Sequence, residues 1–345
     1  MICDGQPRER FAHLPTPLER APRLSGMLGI NLLIKREDLT GLCVGGNKTR
    51  LLEFALGSLR AKGVDTLIAY AAEQSNKLRD IAAAAARCGL EAILLIPRQS
   101  AEAAPQGNRL LFDLLGATVR EVEPGLSEGA VLAAEEKVRD EQARAGRNAV
   151  ILSRHLDYGT DATIAYVDMA EELHEQLAAL GEAPHSVFIV GGAGMTAAGL
   201  ALGLKHLGAA SRVAAVSVTS AAAALRSAVI WQAARAAERL DIPTRLHGDD
   251  LTIIDDYAGA GYGVLTDRAA DKIRLFTRLH GMIVDPVYNA NVVLAICDRI
   301  ESGHVPPGAT VVYVNTGGLP AIFSYGAQLA GDARSAGDGP ERRSA

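Results

Sequence analysis

The chain has 345 residues, 48% of them hydrophobic, with 35 glycines and a net charge of −5 from 35 basic and 40 acidic side chains. That length suits two compact lobes, and the composition fits a soluble α/β protein with helices packed closely on sheets, which excludes fibrous and disordered classes. The charge balance lacks the basic surplus of a nucleic-acid binder, and no apolar run approaches the ~20 residues that span a bilayer, so neither nucleic acid nor a membrane is expected as a partner.

Short apolar runs and longer helical stretches alternate along the chain, the pattern of mostly parallel sheets flanked by helices. Residues 32–35 read as a short strand. After Lys48 the run 51–59 has helical spacing; 66–70 then reads as a strand and the alanine-rich 76–88 as a helix. A strand over 92–96, a helix over 101–116 with Gly116 as a C-cap residue, and a strand over 117–122 follow. A second series begins with a strand near 149–152 and a helix over about 160–180. Strands at 187–190, 213–218 and 311–314 and helices near 221–239, 267–280 and 290–301 complete it. The organisation predicted is a small α/β domain over 49–155, a larger domain made of 1–48 and 156–330, and a mobile tail over 331–345.

The four cysteines, Cys3, Cys43, Cys88 and Cys297, have neither metal-ligand nor C-x-x-C spacing, so a reducing cytoplasm and no metal site are expected. The N-terminus opens on polar and charged residues rather than a signal-peptide core. Cys43, five residues before Lys48, is expected to be an inert, partly buried thiol.

Several segments carry candidate chemistry. In Gly45-Gly46-Asn47-Lys48 two glycines allow close backbone approach beside an amine, which suits a Schiff-base lysine as well as a turn ahead of a surface helix. Ser75, Asn76 and Lys77 follow a strand and open a helix, where they serve as caps or point into a cleft. Gly191 to Leu200 forms a strand–turn–helix start whose N–H groups suit a phosphate; a close-packed turn without ligand is the other reading. It ends in neither the Gly-Lys-Ser/Thr of a Walker loop nor a strict GxGxxG. Thr316, Gly317 and Gly318 follow the strand at 311–314, and tyrosines sit in the turn-rich segments at 255–263 and 285–288.

In this order and spacing the motifs LPTPLERAPRLS at 14–25, KREDLTG at 35–41, GGNKTR at 45–50, QSN at 74–76, the loop at 191–200, GYG at 261–263, DPVY at 285–288 and NTGGLPA at 315–321 are far more specific than any one alone. Over roughly 12–328 the chain resembles the pyridoxal-phosphate enzymes of the D-cysteine desulfhydrase and 1-aminocyclopropane-1-carboxylate deaminase family. That family includes L-cysteate sulfo-lyases and has the tryptophan-synthase-β-like fold, fold type II. The resemblance implies two lobes with pyridoxal 5'-phosphate in the cleft between them, and a homodimer. Lys48 would hold the cofactor and move protons at the substrate α-carbon. Asn76 would bond its phenolic oxygen, Gly192, Ala193, Gly194, Met195 and Thr196 would cradle its phosphate, and Thr316 would face its ring nitrogen. Ser75 would bind the substrate carboxylate or assist proton transfer, and Tyr262 and Tyr288 would lie on the substrate side.

The chain departs from the family pattern in informative places. Deaminases of the cyclopropane substrate write DPVYEG and LGG where this chain has Asn289 after Tyr288 and Thr316 before two glycines. Desulfhydrases and sulfo-lyases write QSNH and KTRK where it has Lys77 and Leu51, and a Gly-Gly-Ser segment where it has His155 to Asp161. A hydroxyl at the ring nitrogen favours prompt elimination. The leading expectation is therefore a lyase that eliminates the β-group of a D-cysteine- or L-cysteate-like amino acid through an aminoacrylate, giving a 2-oxo acid and ammonia. Cyclopropane-ring deamination, a β-replacement synthase or isomerase, and a binding protein that kept the cofactor pocket are the alternatives. Lys77 is a candidate reader of an acidic substrate group, and His155 either a pocket residue or a structural histidine.

Overall fold

The computed structural model describes residues 1–98, 105–257 and 261–330, apart from the side chains of Arg154 and Leu156. The expected tail over 331–345 and the first residues of the helix expected over 101–116 lie outside the described residues. In chain order the elements are β1 (Leu18–Arg20), α1 (Pro22–Leu28), β2 (Asn31–Lys35), α2 (Lys48–Ala61), β3 (Thr66–Tyr70), α3 (Asn76–Cys88), β4 (Glu91–Pro97), α4 (Asn108–Leu114), β5 (Thr118–Val122), α5 (Glu128–Arg144), β6 (Ala149–Ile151), α6 (Leu156–Leu180), β7 (Ser186–Gly191), α7 (Met195–His206), β8 (Arg212–Ser217), α8 (Ala222–Arg239), β9 (Leu251–Ile254), α9 (Asp267–His280), α10 (Asn289–Glu301), β10 (Thr310–Val314) and α11 (Gly326–Ala330).

Helical crossovers between strands leave parallel pairing as the natural outcome. One sheet has the order β1-β2-β10-β7-β8-β9, parallel except for the edge strand β1. The other has the order β5-β4-β3-β6 and is parallel throughout. Every residue of β7 is buried, as expected of a central strand covered on both faces. The chain is thus a mixed α/β protein with two mostly parallel, helix-flanked sheets.

The structure differs from the expected elements in three local places. Helix α4 begins at Asn108, because Gly107 (φ 58°) is pressed against the Gln74 side chain, 2.4 Å from where a Cβ would stand. Helix α6 starts at Leu156, four residues before the expected start. Helix α5 was not anticipated: only Val131, Glu135 and Val138 are buried along it, too thin a stripe for apolar periodicity to show.

Helices α6 and α7 pack closely enough to fix the turn that precedes α7. A Cβ on Gly199 would lie 2.1 Å from the Thr163 carbonyl oxygen, and one on Gly203 would lie 2.5 Å from the Ala170 Cβ. Small residues at both positions let the backbones meet, so α7 seats its N-terminus at the carboxyl edge of β7.

Candidate active site

The carboxyl ends of β3, β7, β8 and β10 face one cavity of about 700 Å³. Clefts at the carboxyl ends of parallel strands are where open α/β sheets take their ligands. Every candidate site residue named from sequence lines this cavity: Lys48, Ser75, Asn76, Lys77, the stretch from Gly192 to Thr196, Tyr262, Tyr288 and Thr316.

Lys48 is the first residue of α2. The turn before it is tied to β10 because the Asn47 N–H donates to the Thr316 carbonyl at 3.0 Å. Two residues on, the wholly buried Arg50 anchors the helix through hydrogen-bonded ion pairs with Glu37 and Glu172, both at 2.8 Å. Thr16 and Tyr166 donate their hydroxyls to Glu37 at 2.6 and 3.2 Å. This network gives the motif at 35–41 a role in holding the lysine-bearing helix.

The Lys48 amine donates to Asn47 Oδ1 at 3.0 Å and lies 5.5 Å from the Tyr288 ring centroid. Enclosure by the cavity walls lowers its pKa from 10.5 to about 8, against the pull of Asp80. Tyr262 meets Tyr288 edge-on, and their hydroxyls are 2.5 Å apart. Burial raises both phenols above their ordinary pKa, Tyr288 the more strongly, so each keeps its proton at neutral pH.

On the opposite wall, Ser75 caps α3 by accepting the Leu78 N–H at 3.3 Å. The Asn76 amide is oriented by its neighbours: its oxygen accepts Arg79 Nη1 at 3.1 Å and Asn108 Nδ2 at 2.9 Å. The Asn76 NH₂ is left to donate, which is the polarity a phenolate oxygen needs. Lys77 donates to the Tyr70 carbonyl at 3.1 Å, and burial lowers its pKa.

At the far end Gly192, Ala193 and Gly194 lead into α7. A Cβ on Gly192 would meet nothing within 4 Å, and no side chain caps the helix, so its first N–H groups are available to an anion. Thr316, at the end of β10, gives its backbone N–H to Asn289 Oδ1 at 3.1 Å, with its hydroxyl oxygen 3.3 Å from the same atom. An amine, an N–H donor for a phenolate, an uncapped helix start and a hydroxyl around one cavity fit pyridoxal phosphate. Among the described residues no group of His, Cys, Asp and Glu could hold a metal ion.

Sequence reasoning missed Arg79, Asp80 and Asp285, all buried beside the cavity or Lys48, and Tyr158, Trp231 and Gln232, which line it. Helical position alone would have flagged Arg79-Asp80, since charged residues there fall on the face of α3 that the alanines bury. Cys43 differs from expectation in being exposed, at φ 54°.

The fold and the cavity together are those of a cofactor-dependent enzyme, with a buried lysine amine at the start of a helix that opens on the cavity. The family of pyridoxal-phosphate dependent enzymes matches residues 10–317, and the chain belongs to it. It is 35% identical to a 1-aminocyclopropane-1-carboxylate deaminase of Allorhizobium ampelinum, covering 94% of this chain and 98% of the relative. It is 36% identical to another so named from a Methylobacterium species, covering 90% and 94%. The crystal structure of an ACC deaminase homologue superposes with a TM-score of 0.85 at 29% identity, over 95% of this chain and 97% of the other. A tomato threonine deaminase shares the fold at a TM-score of 0.66 and 17% identity, over 94% and 84%.

Proposed function

We propose that the chain is a pyridoxal-phosphate-dependent lyase that eliminates the β-group of a small D-cysteine- or L-cysteate-like amino acid, giving a 2-oxo acid and ammonia. The observation that carries this reading is the Lys48 amine, its pKa lowered to about 8, facing a cavity beneath two hydrogen-bonded tyrosines.

Lys48 would hold the cofactor, Asn76 would donate to its phenolic oxygen, Gly192 to Thr196 would bind its phosphate, and Thr316 would meet its ring nitrogen. When bound, the cofactor supplies the electron sink that makes a substrate α-proton acidic. The chain supplies position and protons. Lys48 Nζ takes the proton from the substrate α-carbon, helped by a pKa near the working pH, and the bond from the β-carbon to the leaving group then breaks. Ser75 holds the substrate carboxylate at the N-terminus of α3, where the helix end favours an anion. The protonated hydroxyls of Tyr262 and Tyr288 act as the acid beside the leaving group.

Opening of the cyclopropane ring is the second reading, favoured by relatives of that name at 35–36% identity. Asn289 and Thr316 weigh against it, because deaminases of the family write an acidic residue and a leucine there. A panel of D-cysteine, L-cysteate, other β-substituted amino acids and the cyclopropane amino acid, scored for 2-oxo acid, ammonia and sulfur species, separates the two. Elimination predicts sulfide or sulfite in step with 2-oxo acid. Turnover of the cyclopropane substrate alone would replace the first reading with the second.

A further inference from the structure

The polarity of the Asn76 amide is forced from two sides. Its oxygen accepts Arg79 Nη1 at 3.1 Å and Asn108 Nδ2 at 2.9 Å, and a guanidinium can only donate. The Asn108 amide is fixed in turn, because its Nδ2 also donates at 2.8 Å to the backbone carbonyl of Gln74, which can only accept. Turning the Asn76 amide over would set its NH₂ against two donors. Arg79 and Asn108 are wholly buried and Asn76 is 5% exposed, so bulk water does not offset that clash.

Arg79 has no freedom of its own. Its Nε and Nη2 donate to Asp80 Oδ1 at 3.1 and 2.9 Å, and Nη2 also donates to the Gly45 carbonyl at 2.8 Å. Asp80, itself buried, balances the charge. Gly45 stands in the turn that leads to Lys48 at the start of α2. One planar fork thus holds both the Asn76 amide and the turn before Lys48, a span that a single ammonium could not cover.

We infer that Arg79 is a positioning residue that keeps Asn76 a hydrogen-bond donor toward the cavity, so that the cofactor's phenolic oxygen is held ionised and the proton it shares with the imine nitrogen stays on the nitrogen. This rests on the proposed function, in which Asn76 meets that oxygen and Lys48 carries the cofactor. An NH₂ facing the oxygen stabilises its anion, whereas a carbonyl facing it would require the oxygen to keep a proton. A protonated imine is the form that an incoming amine attacks, so Arg79 readies the site for substrate by acting through Asn76.

The test is the absorption spectrum of the whole chain loaded with pyridoxal phosphate, in which a visible band reports the proton on the imine nitrogen and a near-ultraviolet band reports it on the phenolic oxygen. Borohydride reduction and mass spectrometry locate the attachment. The unaltered protein is expected to attach the cofactor at Lys48 and to show the visible band. Arg79→Met combined with Asp80→Leu removes the buried pair without orphaning a charge, and is expected to lower the ratio of visible to near-ultraviolet absorbance about tenfold, the equilibrium effect of losing one hydrogen bond from a charged donor. Should that double variant not fold, Arg79→Lys keeps a cation opposite Asp80 but not the fork, and the same ratio is expected to fall. A merely structural Arg79 would lower stability and leave the ratio where it was. An unmoved ratio in a folded variant carrying the cofactor on Lys48, or the near-ultraviolet band alone in the unaltered protein, would overturn this inference and leave the proposed function standing; failure of the unaltered protein to attach the cofactor at Lys48 would overturn both.

Discussion

The reactivity of Lys48 toward an aldehyde before any cofactor is bound depends on how much of it is free amine. An ordinary lysine of pKa 10.5 is about 0.03% neutral at pH 7, whereas one at about 8 is about 10% neutral, a gain of about 300-fold in attacking species. The sign follows from burial: the cavity penalises the ammonium, so the free base appears at lower pH and the rate of imine formation rises as pH rises through about 8. Apo-protein mixed with pyridoxal phosphate in a stopped-flow instrument, followed by visible absorbance from pH 6 to 10.5, measures that midpoint. Asp80 is the foremost charge holding the proton on Lys48, so Asp80→Asn should move the midpoint further down, in protein whose circular dichroism shows it folded. A midpoint at the ordinary lysine value in folded apo-protein, or one that rises in Asp80→Asn, would refute the reasoning.

Gly318→Ala should weaken cofactor binding by about 1–3 kcal/mol while the fold persists. Its φ of 117° disfavours a side chain, and the new Cβ would stand 2.8 Å from Asp285 and 2.9 Å from Asn76 Nδ2; equilibrium dialysis of the cofactor checks it. Arg50→Met leaves the buried Glu37 without a cation, while Glu172 keeps its pair with Lys35, and should cost about 3–5 kcal/mol, read as a lowered thermal midpoint of the apo-protein. Adding Glu37→Leu should restore part of that loss, and a double variant as unstable as the sum of the singles would show that the network is not coupled. Lys77→Met should lower kcat/KM for acidic β-substituted amino acids about tenfold more than for neutral ones, with cofactor affinity unchanged, if Lys77 reads the substrate. An equal loss on all substrates together with weaker cofactor binding assigns it to the cofactor instead.

Much of the site was legible in the chain itself because its parts are local. A lysine after two glycines, a strand followed by Gly192 to Gly194 and a helix, and a hydroxyl before Gly317 are each short stretches whose backbone needs are written in the residue types. Strong elements such as α3 and α9 were placed at their observed ends, since alanines or amphipathic spacing and caps mark both termini. Helix α5 was missed because its buried stripe is three residues wide.

What only the tertiary structure decided is the state of each group. Burial of Lys48 sets its basicity, and neighbours from α3 and α4 choose which end of the Asn76 amide faces the cavity. The same holds for Thr316, whose backbone N–H is held by the amide oxygen of an asparagine 27 residues earlier. Residue type determines which donors and acceptors a position has; the direction in which they point depends on partners brought together from distant segments, and no local pattern encodes that.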